Sequence, residues 1–278
     1  MRIQLVFFLI PALFFSGVLY YFMLWNVYIS LTNYSILHPR PQFVGLATFA
    51  SLFSDPDFVS ALTRTLLWVA VLVAAGNLLA ILIASAIYNL ESQRARNAAT
   101  AFFIYPLAVS LAASGIIWRW LFDPDRGIDA VLGTNVLWLQ GDNAFWSASL
   151  VSVWVYTGLG VLFYLAMFYN VDRSQIESAY IDGANTLSVM LRVVVPQSRQ
   201  ALIIATVFYT LFAIQMFDLP YTMLFLNPFV TTLVIYTFFK FATLYFATAS
   251  ATAIVILALS AAIVIPYSMF GFRRWLRV

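Results

Sequence analysis

The sequence predicts an all-α integral membrane protein with about six transmembrane helices. Three observations indicate this fold class: hydrophobic residues make up 63% of the 278 positions, charged residues make up only 9%, and the mean hydropathy is +0.92. A water-soluble domain of this length needs far more charge to cover its surface. The charges instead fall in short segments between apolar runs long enough to cross a bilayer.

Apolar length places the spans in order along the chain. The first run is longer than a signal-peptide core, so we expect it to remain uncleaved. The second carries no charge from Leu66 through Ile87. Lys240 interrupts the region before the last run, which is either a helix at the membrane surface or a tilted entry into the final span. The runs lie near residues 3–31, 62–89, 99–122, 145–169, 200–225 and 243–270.

The distribution of Arg and Lys predicts the orientation of these spans, because cytoplasmic loops carry the excess of positive charge. In a six-span arrangement, one side of the membrane receives Arg2, Arg94, Arg96, Arg173, Arg192, Arg199, Arg273, Arg274 and Arg277. On the other side of the membrane lie Arg40, Arg64, Arg119 and Arg126, and Lys240 is a candidate for the same side. We therefore expect a multi-pass protein of the cytoplasmic membrane with both termini in the cytoplasm. The segment around Glu177 then faces the cytoplasm as well.

Several chemistries are excluded by residue content. The sequence has no cysteine, which removes disulfides, thiolate metal sites and cysteine nucleophiles. The single lysine, Lys240, lies between two phenylalanines, so there is no phosphate-binding P-loop. No zinc-protease or serine-hydrolase motif occurs, and His38 sits alone in a polar connector. We expect no enzymatic activity, no bound cofactor or metal and no nucleic-acid partner, since the net charge of +3 indicates topology.

Asp218 is the one acidic residue inside a predicted span. Exposing a carboxylate to lipid costs about 2.5–3.5 kcal/mol, so this side chain is expected to face a cavity or a partner. Two interpretations remain open. Asp218 binds a polar solute or a proton, or it accepts backbone hydrogen bonds where the helix breaks before Pro220.

The segment from Glu177 to Pro196 is a charged loop between two apolar runs. Apolar residues at helical spacing predict two short amphipathic helices around Gly183: Ile176, Ala179, Tyr180, Leu187 and Leu191. Gly183 permits a tight bend, and Pro196 suits the start of the next span. The small residues Ser178, Ala179 and Ala184 leave room for a partner surface. The alternative is a helix that rests on lipid headgroups.

The residues Glu177-Ser178-Ala179-Tyr180-Ile181-Asp182-Gly183-Ala184, followed by Val193, Val195 and Pro196, resemble the EAA loop of ABC-importer permeases. Glu, Gly and Pro stand at the family spacing, and Ser178 replaces the usual second alanine. The resemblance extends over nearly the whole chain and is to the carbohydrate, maltose-type branch. It is carried by Pro11–Leu13, Phe43–Leu46, Asp55–Phe58, Ile117–Pro124 and Phe217–Tyr221.

The resemblance implies the type I ABC importer permease fold, as one transmembrane domain over residues 1–278 with a core near 62–270 and a coupling loop near 170–199. It implies a second homologous permease, two ATP-binding subunits that use ATP and Mg, an extracytoplasmic solute-binding protein and a carbohydrate substrate. The residues implied to couple to the ATPase are Glu177, Ser178, Ala179, Asp182, Gly183, Ala184 and Pro196.

The same resemblance implies solute contacts in the spans on either side of the loop. The residues are Tyr156, Leu159, Thr210, Ile214, Phe217 and Asp218. Aromatic faces suit the C–H surface of a sugar, and hydroxyls suit its OH groups. In the alternative, the partner permease makes all solute contacts. Two other function classes are an ion-coupled secondary carrier that uses Asp218 and a receptor or scaffold without flux.

Overall fold

The computed structural model describes the backbone of residues 2–225 and 227–275 and the side chains of residues 9–225 and 227–266. Over these residues the chain is helical apart from turns, connectors and isolated β-bridges. The helices are α1 (Arg2–Ser30), α2 (Ala47–Phe53), α3 (Pro56–Tyr88), α4 (Gln93–Ala108), α5 (Leu111–Leu121), α6 (Ile128–Leu132), α7 (Gly141–Phe168), α8 (Arg173–Ile181), α9 (Thr186–Val189), α10 (Val195–Gln197), α11 (Arg199–Ile214), α12 (Asp218–Met223), α13 (Leu233–Ala242) and α14 (Phe246–Trp275). A π-helical turn, Met190–Val194, joins α9 to α10, and a 3-10 turn covers Pro228–Val230.

The predicted fold class is confirmed. Within the described residues, four helices are long and apolar enough to cross a membrane: Leu9–Ser30 of α1, all of α3, all of α7 and Phe246–Pro266 of α14. Two bent pairs also qualify when each is taken together, namely α4 with α5 and the segment Thr186–Gln197 with α11. The bends are 97° and 68°, so the total is six spans if each pair counts as one.

Two predicted spans are not continuous helices. The run near 99–122 breaks after Ala108, where Val109 and Ser110 adopt extended conformations. Ser110 starts α5 by accepting a hydrogen bond from the Ala113 amide at 3.2 Å. Pro106 lies in the last turn of α4 and cannot donate a backbone hydrogen bond, which weakens the helix at this point.

The run near 200–225 ends at Ile214, and a second helix begins at Asp218. A helix continued through Pro220 would leave the carbonyl of Met216 without its usual donor, because proline has no N–H. In the structure that carbonyl accepts a hydrogen bond from the buried hydroxyl of Thr232 at 2.7 Å. The break is thus compensated from a distant part of the chain.

The chain falls into two compact units, Met1–Ala61 with Leu233–Leu259, and Leu62–Thr232 with Ser260–Val278. In the first unit, Tyr34 stacks on Phe246 at 4.9 Å, and the Ala247 amide donates to the Tyr34 carbonyl at 2.9 Å. Lys240 pairs with Asp55 at 3.2 Å. The region around Lys240 is the separate short helix α13, so the last span begins at Phe246 rather than near residue 243.

The second unit is built around α7, whose side chains are largely buried. Gly158 lets α7 approach α4 closely, because a Cβ atom there would lie 2.1 Å from the carbonyl oxygen of Phe103. The side chains of four arginines that were used to predict the orientation lie outside the described residues: Arg2, Arg273, Arg274 and Arg277.

Candidate coupling loop and solute path

The loop after α7 begins with a capped helix. The Asp172 carboxylate accepts a hydrogen bond from the Ser174 amide at 2.9 Å and so caps the N-terminus of α8. Glu177, Ser178 and Ala179 all lie within this helix. A helix of nine residues is only marginally stable by itself, so the cap helps to stabilise its first turn.

Gly183 ends α8 in a Schellman turn. Its backbone has φ +84°, a left-handed conformation that favours glycine. The Gly183 amide donates to the Tyr180 carbonyl at 3.0 Å, and the Ala184 amide donates to the Ala179 carbonyl at 3.0 Å. These two bonds turn the chain sharply, as the sequence predicts for this glycine.

A second helical segment follows the turn. Asn185 caps it by accepting a hydrogen bond from the Ser188 amide at 2.8 Å. The segment widens to a π-helical turn over Met190–Val194 just before Pro196. The wider turn relieves the clash that a proline ring makes with the carbonyl four residues earlier. The chain then bends by 68° at Ser198 as it enters α11.

The loop presents much of its surface outward. Five of the seven predicted coupling residues are exposed: Glu177, Ser178, Asp182, Gly183 and Pro196. The other two, Ala179 and Ala184, are half-buried. Two open clefts of about 620 and 450 Å³ share Ala179, Asp182, Arg192 and Val193 as lining residues. A carboxylate and a guanidinium therefore both border the surface beside α8.

The apolar side chains of the second helical segment lie on two of its faces. Leu187 and Leu191 are exposed at 66% and 58%, whereas Val189, Met190 and Val194 are buried in the core. Aliphatic residues occur on both faces of this segment, so spacing alone did not identify the inner face. Ile181, at the end of α8, is 85% exposed. The loop thus carries an uncovered apolar surface that we call the loop ridge: Ile181, Leu187 and Leu191.

The predicted solute residues differ in accessibility. Thr210 and Ile214 lie in the packed core of the second unit, and Leu159 is half-buried. Tyr156 is buried, and its ring stacks on Phe212 with centroids 4.6 Å apart. The structure therefore brings Tyr156 against a neighbouring aromatic ring and places the Thr210 hydroxyl away from the surface.

Phe217 and Asp218 lie together where α11 gives way to α12. The Phe217 ring stacks on Tyr221 at 4.9 Å. Asp218 is exposed in the first turn of α12, where the positive end of the helix dipole favours a carboxylate. Among the described residues its carboxylate accepts no hydrogen bond, so the interpretation of Asp218 as a helix cap is wrong, and its binding of a polar solute or a proton stays a prediction.

One polar cluster was missed in the sequence. Asn77 lies inside the charge-free run of α3 and hydrogen-bonds to Tyr164 of α7 and Thr206 of α11. The signal that could have found it is a lone asparagine among apolar residues, because an amide buried in a span needs partners. Those partners are distant in sequence, so the pattern could not name them.

The long apolar helices and the bent loop are those of a multi-pass membrane protein. Residues 76–276 match the family described as binding-protein-dependent transport system inner membrane component. The chain belongs to this family. The resemblance to ABC-importer permeases is thereby confirmed, and the family membership decides against an ion-coupled secondary carrier and against a scaffold without flux. The chain is a membrane-embedded transport component.

Individual proteins are similar to this chain over most of their length. The glucose import system permease protein GlcT of Saccharolobus solfataricus is 38% identical, over 96% of this chain and 96% of that protein. A probable ABC transporter permease protein of Pyrococcus horikoshii is 30% identical over 97% and 96% of the two chains. The xylose/arabinose import permease protein XacH of Haloferax volcanii is 27% identical over 90% and 82%.

Solved structures show the same fold. A bacterial ABC transporter involved in the import of the acidic polysaccharide alginate matches with a TM-score of 0.82, at 19% identity, over 97% of this chain and 95% of that chain. A second structure contains that transporter in complex with an alginate pentasaccharide-bound periplasmic protein and matches equally well. At this identity the likeness supports the fold and not the solute.

Proposed function

We propose that the chain is a permease subunit of an ATP-driven importer for a sugar or a related carbohydrate, and that it forms half of the translocation pathway. The substrate class is supported by the names of full-length relatives, which include glucose and xylose/arabinose import permeases. The 38% identity to the glucose permease over nearly both whole chains is the observation that carries the solute class.

The proposed assembly contains a second homologous permease, two ATP-binding subunits and an extracytoplasmic solute-binding protein. ATP and Mg belong to the ATP-binding subunits, and this chain binds no cofactor. Residues 1–278 act as one transmembrane domain, with a core near 62–270 and a coupling loop near 170–199. Both termini face the cytoplasm, as the distribution of arginines indicates.

The loop is proposed to dock in a groove of one ATP-binding subunit. Its support is the loop ridge, which exposes three aliphatic side chains on a segment that also carries exposed charges. Large exposed apolar side chains among polar residues occur at protein interfaces. Glu177 adds an exposed carboxylate on the same short helix, available for a charge or hydrogen bond with the partner.

Coupling is then mechanical. Closure of the two ATP-binding subunits on ATP moves the docked loop, and α7 and α11 carry that motion into the span region as alternating access. Gly183 sets the bend between the two loop helices. Pro196, through the π turn that precedes it, sets the angle at which the chain enters α11.

The solute path is proposed to include the residues already named on α7, α11 and α12: Tyr156, Leu159, Thr210, Ile214, Phe217 and Asp218. Of these, Asp218 is exposed and Leu159 and Phe217 are half-buried in the described conformation. Tyr156, Thr210 and Ile214 would reach a sugar after the neighbouring aromatic rings move. The stack of Phe217 on Tyr221 presents the kind of flat apolar face that sugars use.

The test is purification of the tagged chain from its native membrane in mild detergent, with mass spectrometry of the proteins that remain bound. We expect a P-loop ATPase and a second permease with the wild type. The double variant Glu177→Lys, Gly183→Asp should lose the ATPase and keep the second permease. Recovery of the ATPase at wild-type level with this variant overturns the docking proposal.

Matched controls come from outside the loop. Glu91→Lys reverses another exposed carboxylate in the connector between α3 and α4. Gly133→Asp changes another left-handed glycine with open space around it, at φ +67°. Both controls should retain the ATPase. If they lose it as well, the loss reflects general damage and the loop has no special role.

A further inference from the structure

We propose that Asn77 is a positioning residue that ties α3 to the two helices flanking the coupling loop, so that the three helices shift as one body. This inference rests on the proposed coupling role of the loop. Asn77 lies in α3, Tyr164 in α7 and Thr206 in α11. All three are buried.

Both polar atoms of the Asn77 side chain are hydrogen-bonded. Its Oδ1 accepts a hydrogen bond from the Tyr164 hydroxyl at 2.8 Å. Its Nδ2 donates to the Thr206 hydroxyl at 3.2 Å and to the Val73 carbonyl at 2.8 Å. One side chain therefore bridges both neighbouring helices while a third bond to its own helix holds its orientation.

Tyr209 closes the same region sterically. Its ring lies against Gly76 and Gly160, where an added Cβ would come within 3.0 Å of the ring and 2.0 Å of the hydroxyl, respectively. The Tyr209 hydroxyl donates to the Gly76 carbonyl at 3.5 Å. The two glycines thus let a bulky ring of α11 sit between α3 and α7 next to the Asn77 bridge.

The bridge lies close to the loop. Tyr164 is about one helical turn before the end of α7, and Thr206 is about two turns after the start of α11. Any force applied to the loop therefore reaches these bonds before the rest of the two helices. Apolar contacts are non-directional and allow helices to slide, whereas hydrogen bonds fix their relative height. Within a bilayer, no water replaces a broken bond.

The first measurement is the distance between two spin labels on the helices beside the loop. This chain has no cysteine, so Asn170→Cys and Gln200→Cys place labels at two exposed positions without background from the chain itself. The complete complex in liposomes should show one narrow distance distribution with and without ATP. Asn77→Leu should broaden it. A distribution as narrow as that of the wild type overturns the inference.

The second measurement is transport per ATP hydrolysed by the same complex. The probe is whichever of radiolabelled glucose, xylose and arabinose the wild type accumulates. In Asn77→Leu, this ratio should fall roughly fivefold or more, while ATP hydrolysis persists. A purely structural role would instead lower the amount of assembled complex and leave the ratio unchanged, which would also overturn the inference.

Two milder variants test the inference even if Asn77→Leu fails to fold. Tyr164→Phe and Thr206→Val each remove one hydrogen bond with little change of shape, and each should lower the ratio less than Asn77→Leu. The control is Ser152→Ala, which removes the 3.2 Å bond from Trp68 that also joins α3 to α7, but far from the loop. An equal loss in this control contradicts the positioning role. The label distances report on the bridge even if no ATPase binds the loop.

Discussion

The hydroxyl of Tyr236 donates a 2.6 Å hydrogen bond to the carboxylate of Asp55, and Lys240 approaches the same oxygen at 3.2 Å. The three residues join α13 to the start of α3 within the first unit. The Lys240 ammonium also lies over the Tyr236 ring, 4.8 Å from its centroid. The single lysine of the chain is therefore engaged in a compact polar cluster.

This cluster predicts a pH-dependent contribution to stability. Partial burial raises the pKa of Asp55, but hydrogen bonds from Tyr236, the Asp57 amide and Lys240 outweigh it, so the pKa lies below its ordinary value of 3.8. A lowered pKa means that the charged cluster stabilises the fold above pH 3.8 and that this contribution is lost as the pH falls through the lower folded-state value.

Asp55→Asn should cost about 1 kcal/mol at neutral pH, a small value because the pair is partly exposed. The measurement is thermal unfolding of the detergent-solubilised protein between neutral and acidic pH. The difference between wild type and variant should shrink below pH 3.8. A difference independent of pH would mean that the Asp55 charge contributes nothing.

The close approach of Gly158 to the backbone of Phe103 predicts that residue 158 cannot carry a side chain without cost. A methyl group at residue 158 would meet backbone atoms of α4, which cannot move as a flexible side chain can. Gly158→Ala should therefore destabilise the protein by about 1–3 kcal/mol. Gly17→Ala is the control, because Gly17 is an exposed helical glycine with nothing within 4 Å. Equal thermal stability of the two variants would contradict the close approach.

Because the backbone of Gly183 is left-handed, we expect the effect of a substitution on ATPase binding to depend on how well the new residue adopts that conformation, and not on its size. The space around its Cβ position is open. Asn tolerates the left-handed region, whereas a β-branched residue there should cost about 1–2 kcal/mol. Gly183→Asn should keep more bound ATPase than Gly183→Val, as judged by co-purification. The reverse order would show that side-chain size matters instead of the turn.

The loop ridge predicts an apolar contribution to docking. Ile181→Ser should weaken binding of the ATP-binding subunit by about tenfold, because a side chain that is 85% exposed here would become covered in the complex. Binding can be measured by titrating the purified ATPase onto the permease in nanodiscs. Leu37→Ser, an exposed leucine in the connector after α1, should bind like the wild type. Unchanged affinity of the Ile181 variant would remove the ridge from the interface.

Much of this protein could be predicted because the signals are local. Apolar run length indicates how many residues can cross a bilayer, and the spacing of Glu177, Gly183 and Pro196 indicates a bent loop. The structure bears out the helical class and the turn at Gly183. The residues proposed to contact an ATPase or a solute remain predictions.

The sequence by itself determined the membrane class, the order of the spans and the position of the loop, because hydropathy and backbone preference act over a few neighbouring residues. Only the tertiary structure decided where two spans break, which face of the second loop helix is buried and which residues satisfy Asn77. Those outcomes depend on partners such as Thr232 for Met216 and Thr206 for Asn77. No periodicity within a single helix encodes which distant segment will supply the matching hydrogen bond.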